Sequence, residues 1–235
     1  MGVEFNIDGK LLKTVVKAIE HINEECIWTF DSSGLMIRMS DVYRHKMIEI
    51  FVDKSDFVSF DCKGSWDLGI VIDRVKDVTK TLTTKDVLEF RYNDGAGEIH
   101  LSANGLKRGV KLIDINMVGV VPHLNLKFDY GYIIDSKTLK SFLKASSKAN
   151  DFEVLLNPRE LVVRSETDEG VASANWTLPL NELSSRSTYS IEATSKATST
   201  MVGDVLVGGS TDGVLQLIWD LGDNSKLKAM IAPRV

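Results

Sequence analysis

The chain has 235 residues, of which 43% are hydrophobic and 26% are charged, a composition typical of a globular protein with one large core or two smaller ones. Its formal net charge of −5 argues against binding to nucleic acid if the charge is spread evenly. Two cysteines, Cys26 and Cys62, have no CxxC spacing, which argues against a disulfide framework or a zinc site.

The first predicted helix, residues 10–22, has one basic side and one apolar side. Its lysines, Lys10, Lys13 and Lys17, follow one another at spacings of three and four, which place them on one helix face. The next run, IWTFDSSGLMIRM, predicts two strands joined by the turn DSSG, and HKMIEIFVD predicts a further strand. A second helix is predicted at residues 71–82.

The third predicted helix, residues 136–149, carries the most concentrated positive charge of the chain. Spacings of three, four and four place four lysines in a stripe of roughly 80° on the helix surface. They are Lys137, Lys140, Lys144 and Lys148. No Asp or Glu lies between residues 136 and 150. Taken alone, such a face is typical of a solvated surface helix. The last helix is predicted at residues 190–201.

The two lysine-rich helices belong to an internal repeat with an offset of 127 residues. The lysine spacing of the first helix recurs in the third, and Leu12 and Val16 correspond to Leu139 and Leu143. Each of these helices is followed by a pair of predicted strands, with the turn DSSG in the first half and NPRE in the second. The sequence therefore predicts an α+β protein with two similar domains of antiparallel sheets and two helices each.

The region between the repeats, residues 115–128, has no helical period and contains Pro122. We interpret it as an extended connecting loop. The predicted organisation is an N-terminal domain at residues 1–114, this loop, and a C-terminal domain at residues 129–235.

Charge is distributed unevenly between helices and the rest of the chain. The four predicted helices hold 11 basic and 4 acidic residues, whereas the remainder holds 17 basic and 29 acidic residues. Basic helices on an otherwise acidic molecule indicate one surface that holds a polyanion and others that repel it.

Four segments carry motifs of one known family. The run LKAMIAPRV is similar to a C-terminal signature in which an apolar strand is followed by Ala-Pro-Arg/Lys, and STYSIE is similar to the segment that leads into the last helix. DSSGLMIRMSD is similar to the first-domain hairpin, with Ser40 between the usual Met and Asp, and VKLIDINMVGVVPHLNL is similar to the interdomain connecting loop. In this combination the chain resembles the proliferating cell nuclear antigen family, the DNA sliding clamps of archaea and eukaryotes, and the archaeal members most closely.

The resemblance implies the DNA clamp fold and a trimeric ring, formed with itself or with sister subunits, whose helices line a channel for double-stranded DNA. Phosphate contacts carry no sequence information, so such a ring can slide along DNA. We expect ten lysines of the helices to bind DNA: Lys10, Lys13, Lys17, Lys76, Lys80, Lys137, Lys140, Lys144, Lys148 and Lys196.

The resemblance also implies an apolar pocket for a short helical motif of partner proteins. The partners expected are DNA polymerase, the clamp loader, flap endonuclease, DNA ligase and other proteins with a clamp-interacting motif. The residues that match the family's pocket are His45, Met47, Val121, Pro122, Leu124, Met230, Ile231, Ala232 and Pro233. Trimer contacts of the family imply pairing between residues 105–114 of one subunit and residues 169–178 of the next.

Two other functions stay open at the level of the sequence. One is a nucleic-acid-processing or hydrolytic enzyme with an unrecognised site, although the four scattered histidines, the absence of a P-loop and the absence of a GxSxG motif favour no catalytic residue, metal or cofactor. The other is a divergent clamp subunit that acts only in a heterotrimer.

The expected location is intracellular. No apolar run approaches the roughly 18 residues of a membrane span, and the first residues, MGVEFNIDGKLLK, lack the apolar stretch of a signal peptide. We therefore expect a protein without a membrane partner, in the cytoplasm at the nucleoid, or in the nucleus if the organism is eukaryotic.

Overall fold

The computed structural model describes residues 2–234, which divide into two compact units. The first unit contains the residues up to Ser40, together with Ile48–His123 and Asp220–Leu227. The second contains Asp41–Met47, Leu124–Trp219 and the residues from Lys228 onward. Each unit therefore includes a short segment from the other half of the chain.

The first unit has nine main strands and two helices. In chain order these are β1 (Gly2–Asp8), α1 (Gly9–Ile19), β2 (Glu25–Asp31), β3 (Gly34–Ser40), β4 (Lys46–Asp53), β5 (Ser59–Cys62), β6 (Trp66–Val71), α2 (Ile72–Thr79), β7 (Val87–Asn93), β8 (Glu98–Ala103) and β9 (Leu106–Lys111). A five-stranded sheet has the order β5-β1-β7-β8-β9, and a second group has the order β4-β3-β2-β6. Short 3-10 turns lie at Lys54–Asp56 and Ile115–Met117.

The second unit has eight main strands and two helices. They are β10 (Tyr130–Asp135), α3 (Ser136–Ala145), β11 (Asp151–Asn157), β12 (Glu160–Thr167), β13 (Gly170–Thr177), β14 (Ser185–Ser190), α4 (Ile191–Ala197), β15 (Asp204–Gly209), β16 (Leu215–Asp220) and β17 (Lys226–Ile231). A four-stranded sheet has the order β13-β12-β11-β14, and the other strands follow in the order β10-β15-β16-β17. Three of the boundaries between the units fall within strands, namely within β4, at the last residue of β16 and within β17.

The two units repeat one topology, as the internal repeat predicts. The order β1-β7-β8-β9 corresponds to β10-β15-β16-β17, and β4-β3-β2-β6 corresponds to β13-β12-β11-β14. Only β5 has no counterpart among the described strands of the second unit. In this correspondence α1 matches α3 and α2 matches α4, so the prediction of two similar α+β units with two helices each is confirmed.

Each unit has its own apolar core. In the first unit the rings of Phe5 and Phe90 stack with centroids 4.4 Å apart, and Trp28 and Phe30 lie against them. In the second unit Phe152 contacts the rings of Phe142, from α3, and Tyr189. Burial of such large side chains is the main favourable contribution to the folding of each unit.

The helices that carry lysines form because their opposite faces are buried. On α1 the buried apolar residues include Leu12, Val15, Val16 and Ile19, which recur at helical spacing. On α3 the buried apolar residues are Leu139, Phe142 and Leu143. Because the apolar face of each helix packs on its own unit, the opposite, lysine-bearing face is directed outward.

The helices end earlier than the sequence predicts, and for α2 and α3 this changes the place of a lysine. Helix α3 ends at Ala145, where the buried hydroxyl of Ser146 accepts a hydrogen bond from the hydroxyl of Ser165 at 2.6 Å. After this point the backbone bonds tighten, since the amide of Ser147 donates to the carbonyl of Lys144, three residues earlier, at 3.3 Å, so Lys148 lies beyond the helix. Helix α2 ends at Thr79, and Lys80 is its C-cap.

The N-termini of α1 and α3 differ although they occupy equivalent places in the repeat. Asp135 caps α3, because its carboxylate accepts from the backbone N–H of Thr138 at 2.7 Å. It also accepts from the indole N–H of Trp176 at 2.9 Å, and both bonds lower the pKa of Asp135, the bond from Thr138 contributing most. Asp8 precedes α1 at the equivalent position but makes no side-chain cap bond.

We expect Asp135→Ala to lower the free energy of unfolding by about 1 kcal/mol, since it removes a capping acceptor. Because the pKa of Asp135 is lower in the folded state, its contribution is complete above the unfolded pKa of about 4 and is lost as the pH falls through the folded pKa. Urea denaturation followed by circular dichroism at pH 7 and at lower pH measures both effects. Asp8→Ala is the matched control and should change stability by less than about 0.5 kcal/mol. An equal loss in the two variants would contradict the assignment of the cap.

Candidate nucleic-acid interface

The positive charge of the four helices is concentrated on α1 and α3. Each of these two helices has three lysines and no acidic residue within its bounds. Helices α2 and α4 have equal numbers of acidic and basic residues within theirs. The net positive charge of the candidate interface is therefore concentrated on two of its four helices, and the DNA-binding role of the ten lysines stays a prediction.

Four lysines of these helices are fully available to a ligand. Lys10 and Lys17 on α1, and Lys137 and Lys144 on α3, are exposed. Among residues 2–234 none of the four side chains makes an ion pair. The four form two pairs at the repeat offset of 127 residues, because Lys10 corresponds to Lys137 and Lys17 to Lys144. Each unit thus offers the same two charges at the same positions of the same helix.

The central lysine of each stripe is more constrained. Lys13 is partly buried, and its ammonium group donates to the carbonyl of Leu82, beside the carboxylate of Asp86. Lys140, its counterpart on α3, is also partly buried. These two lysines add positive charge to their helix faces, but their side chains have less conformational freedom to contact a ligand.

Two predicted DNA-binding lysines, Lys76 on α2 and Lys80 directly after it, have carboxylate partners. The ammonium group of Lys76 lies 2.7 Å from a carboxylate oxygen of Glu20, whose side chain is only 16% exposed. This hydrogen bond and the charge of Glu20 raise the pKa of Lys76. Lys80 pairs with Asp77 at 3.5 Å. These contacts offset charge locally and, for Lys76, join the end of α1 to α2.

Lys148 and Lys196 also have acidic partners. The ammonium group of Lys148 lies 2.7 and 2.8 Å from the two carboxylate oxygens of Glu169. Lys196 and Glu192 are 2.5 Å apart on α4, which lowers the pKa of Glu192. The pair on α4 is visible in the sequence as an i, i+4 spacing. The pairing of Lys148, like that of Lys76, depends on residues distant in the chain.

The predicted partner-binding residues of the second unit are unequally accessible. Met47, Met230 and Ile231 are buried, with at most 6% of their surface exposed, so they offer little surface for direct contact. His45 and Leu124 are exposed, and Ala232 and Pro233 are half-buried. The amide of Ala232 donates to the carbonyl of His45 at 2.9 Å. Residues from distant parts of the chain therefore lie side by side in this set.

Val121 and Pro122, the remaining predicted partner-binding residues, belong to the first unit. Val121 is half-buried and Pro122 is exposed. Their role in partner binding stays a prediction, as does that of the residues in the second unit.

The turn before β4 adds exposed apolar surface that the sequence did not single out. Val42 and Tyr43 are about four-fifths exposed, and the ring of Tyr43 stacks on that of His45 with centroids 5.8 Å apart. At the base of the turn Asp41 accepts from the backbone N–H of Lys46 at 2.9 Å. Large apolar side chains exposed together mark candidate contact surfaces.

The described residues offer little that is typical of a catalytic or metal site. No group of three or more His, Cys, Asp or Glu side chains within residues 2–234 is arranged to hold a metal ion. Burial raises the pKa of the Cys26 thiol to about 12, so this thiol is un-ionised at neutral pH. No helix among the same residues is long and apolar enough to cross a membrane.

Two repeated α+β units with lysine-bearing helices define the class of DNA clamp proteins. Residues 3–120 match the sequence profile described as proliferating cell nuclear antigen, N-terminal domain. Because this match covers half of the chain, the chain belongs to the proliferating cell nuclear antigen (PCNA) family. The predicted family is thereby confirmed.

Similar proteins are found along the whole chain. The DNA polymerase sliding clamp of Archaeoglobus fulgidus is 24% identical over 242 residues, covering 99% of this chain and 98% of that protein. The structure of the C-terminal region of FEN-1 bound to A. fulgidus PCNA matches with a TM-score of 0.92 at 21% identity, covering 99% of this chain and 98% of that one. The PCNA2–PCNA3 complex of Sulfolobus tokodaii matches with a TM-score of 0.85 at 20% identity, covering 98% and 99%. The predicted clamp fold is therefore confirmed.

Proposed function

We propose that this chain is a subunit of a DNA sliding clamp. Three subunits form a ring that encircles duplex DNA without sequence specificity and tethers DNA polymerase and other replication and repair proteins as a processivity factor. Its family and its similarity to DNA polymerase sliding clamps support this function. The role is mechanical and not catalytic, and the location that goes with it is the cell compartment that holds the DNA.

The observation that carries this proposal is the repeated set of exposed lysines on α1 and α3. Lys10 and Lys17 in the first unit, and Lys137 and Lys144 in the second, can each bind a phosphate group. A surface that repeats along a ring matches a ligand with repeated charge, and such contacts carry no sequence information. Weak, equivalent contacts hold DNA while allowing it to slide.

Assembly into a ring is supported by two unpaired sheet edges. Strand β9 ends the five-stranded sheet of the first unit, and β13 ends the four-stranded sheet of the second. In the repeat, β9 corresponds to β17 and β13 corresponds to β4. Residues at or beside the ends of β17 and β4 are hydrogen-bonded: the amide of Ala232 donates to the carbonyl of His45 in the second unit, and the amide of Asp53 donates to the hydroxyl of Ser225 in the first. The outer edges of β9 and β13 are the equivalent positions at which a sheet ends. We infer that β9 of one subunit pairs with β13 of the next, in a homotrimer or with sister subunits.

Partner binding is the second part of the proposed function. A structure of an A. fulgidus relative contains the C-terminal region of FEN-1. We infer that DNA polymerase, the clamp loader, flap endonuclease and DNA ligase bind this chain by a clamp-interacting motif. The exposed residues His45 and Leu124 and the half-buried Ala232 and Pro233 provide the contact surface.

We assign a domain to residues 1–114, a connecting loop to residues 115–128 and a second domain to residues 129–235.

The lysine set is tested by changing Lys10, Lys17, Lys137 and Lys144 together to alanine. We expect faster dissociation from closed circular DNA and a flatter salt dependence, because the slope of log affinity against log salt falls by about 0.9 for each phosphate that is no longer neutralised. The fold and the assembly should persist, because the apolar faces of α1 and α3 are unchanged. Retention on DNA at several salt concentrations measures the effect.

The matched control changes four exposed lysines outside the helices, Lys54, Lys63, Lys127 and Lys226. It removes the same net charge and should retain DNA almost normally. Equally weakened retention in both quadruple variants would mean that net charge, and not the lysine set of α1 and α3, explains DNA binding.

The proposed ring contact is tested with proline in β13. Neighbouring residues of a strand direct their N–H groups to opposite sides, so one of Ser173→Pro and Ala174→Pro removes only an outward-facing donor. That variant should fall from about three times 26.1 kDa to the monomer mass while keeping its circular dichroism spectrum. The control variants place proline, one at a time, at two neighbouring residues of β5, which is another edge strand. A trimer that survives both β13 variants would locate the ring contact elsewhere.

The proposed partner surface is tested with Leu124→Ala, which should weaken a motif peptide by about 1–3 kcal/mol because apolar anchors dominate such sites. DNA retention should not change. Leu180→Ala, which truncates another exposed leucine of the second unit, is the control in calorimetric titrations. Full peptide affinity in the Leu124 variant would remove this residue from the site.

A further inference from the structure

The connecting segment Gly119–Lys127 has few attachments to the rest of the protein. It follows the 3-10 turn at Ile115–Met117 and contains no helix or strand. Among residues 2–234, His123 is the only side chain of this segment that makes a hydrogen bond. A segment with so few bonds opens at low free-energy cost, so a single attachment has a large influence on its conformation.

The attachment is a cluster of three side chains within the first unit, Arg38, Glu49 and His123, here called the connector anchor. The Glu49 carboxylate oxygen Oε2 accepts from Nε of Arg38 at 2.8 Å and lies 3.1 Å from Nδ1 of His123. A carboxylate paired with arginine only accepts hydrogen bonds, so Nδ1 of His123 carries the hydrogen. Nη2 of Arg38 lies 3.4 Å from the same nitrogen, and since both atoms are donors this contact is not a hydrogen bond.

The foundation of the connector anchor is rigid. Arg38 lies on β3 and Glu49 on β4, which are neighbours in one sheet. The Glu49 side chain is only 11% exposed, so its position is fixed by the surrounding protein. His123 connects the loop to this sheet, and Pro122, directly before it, restricts the backbone further.

We propose that the connector anchor positions the loop for partner binding, with His123 as the positioning residue. His123 directly precedes Leu124, the exposed apolar residue assigned to the partner surface, so fixing one fixes the backbone of the other. Ordering this backbone in advance lowers the entropic cost of binding a motif peptide. This inference rests on the proposed function, because it assumes that the loop binds partner proteins.

A second histidine of the first unit provides a matched control. His100 also lies beside a glutamate, Glu98, at 3.7 Å, and its side chain is 56% exposed against 52% for His123. His100, however, is on β8, whose backbone is already held by β7 and β9. Removal of the His100 side chain should therefore leave the backbone around it in place, because no loop depends on that side chain.

The test compares His123→Ala, His100→Ala and His123→Asn in the full chain. Hydrogen–deuterium exchange of residues 119–127 reports on the loop, and calorimetry with a peptide of the A. fulgidus FEN-1 C-terminal region reports on binding. For His123→Ala we expect faster exchange and about fivefold weaker binding, the scale of one exposed charge-assisted bond. His100→Ala should change neither. His123→Asn should restore most of both, because its amide nitrogen takes the place of Nδ1 as a donor to Glu49.

Three results would overturn the proposal: unchanged exchange in His123→Ala, faster exchange without weaker binding, or no recovery in His123→Asn. A wild-type chain that binds no such peptide would refute the positioning role as well as the proposed partner surface. The exchange comparison would then still decide whether the connector anchor orders the loop. Retention on circular DNA should equal that of wild type in all three variants, which separates this site from the lysine set.

Discussion

Burial of the apolar faces of α1 and α3 is the constraint on which the rest of the structure depends. Each helix packs its leucine, valine or phenylalanine side chains on its own unit, so its opposite face is directed outward. Because that face contains lysines and no acidic residue, packing and charge are separated on the two sides of one element. The candidate interface for a polyanion is thus a consequence of how the core is built, and it recurs because the unit recurs.

The contrast between the two pairs of helices shows how acidic residues limit a basic surface. On α2 and α4 every lysine has a carboxylate at 2.5–2.7 Å, and the ion pairs serve local structure. On α1 and α3 the outer lysines keep their charge for a ligand. An ammonium group already hydrogen-bonded to a carboxylate attracts a phosphate less, since the net charge of the pair is zero. A chain with a net charge of −5 can therefore still present a strongly basic surface.

The surfaces proposed for partner binding and for assembly differ in chemistry from the one proposed for DNA. The unpaired edges of β9 and β13 offer backbone donors and acceptors, which recognise another strand. The proposed partner surface combines exposed side chains such as Leu124 with buried ones such as Met47 and Ile231. The connecting loop contributes Leu124 to the proposed partner surface. Its residue His123 contacts Glu49, which is paired with Arg38 on the neighbouring strand. The proposed functions are thus divided between helices, strand edges and a loop that makes few hydrogen bonds.

The sequence by itself determined the repeat, the α+β class and the lysine faces, because helical spacing and an offset of 127 residues are local, periodic signals. It also contained the i, i+4 pair of Glu192 and Lys196. Only the tertiary structure decided that Glu20 neutralises Lys76, that Ile231 is buried, and that His123 meets Glu49, 74 residues away in the chain. These contacts depend on which strands become neighbours, and no spacing along the chain encodes them. The end of α3 before Lys148 likewise became visible only in the structure, where the helix stops at Ala145.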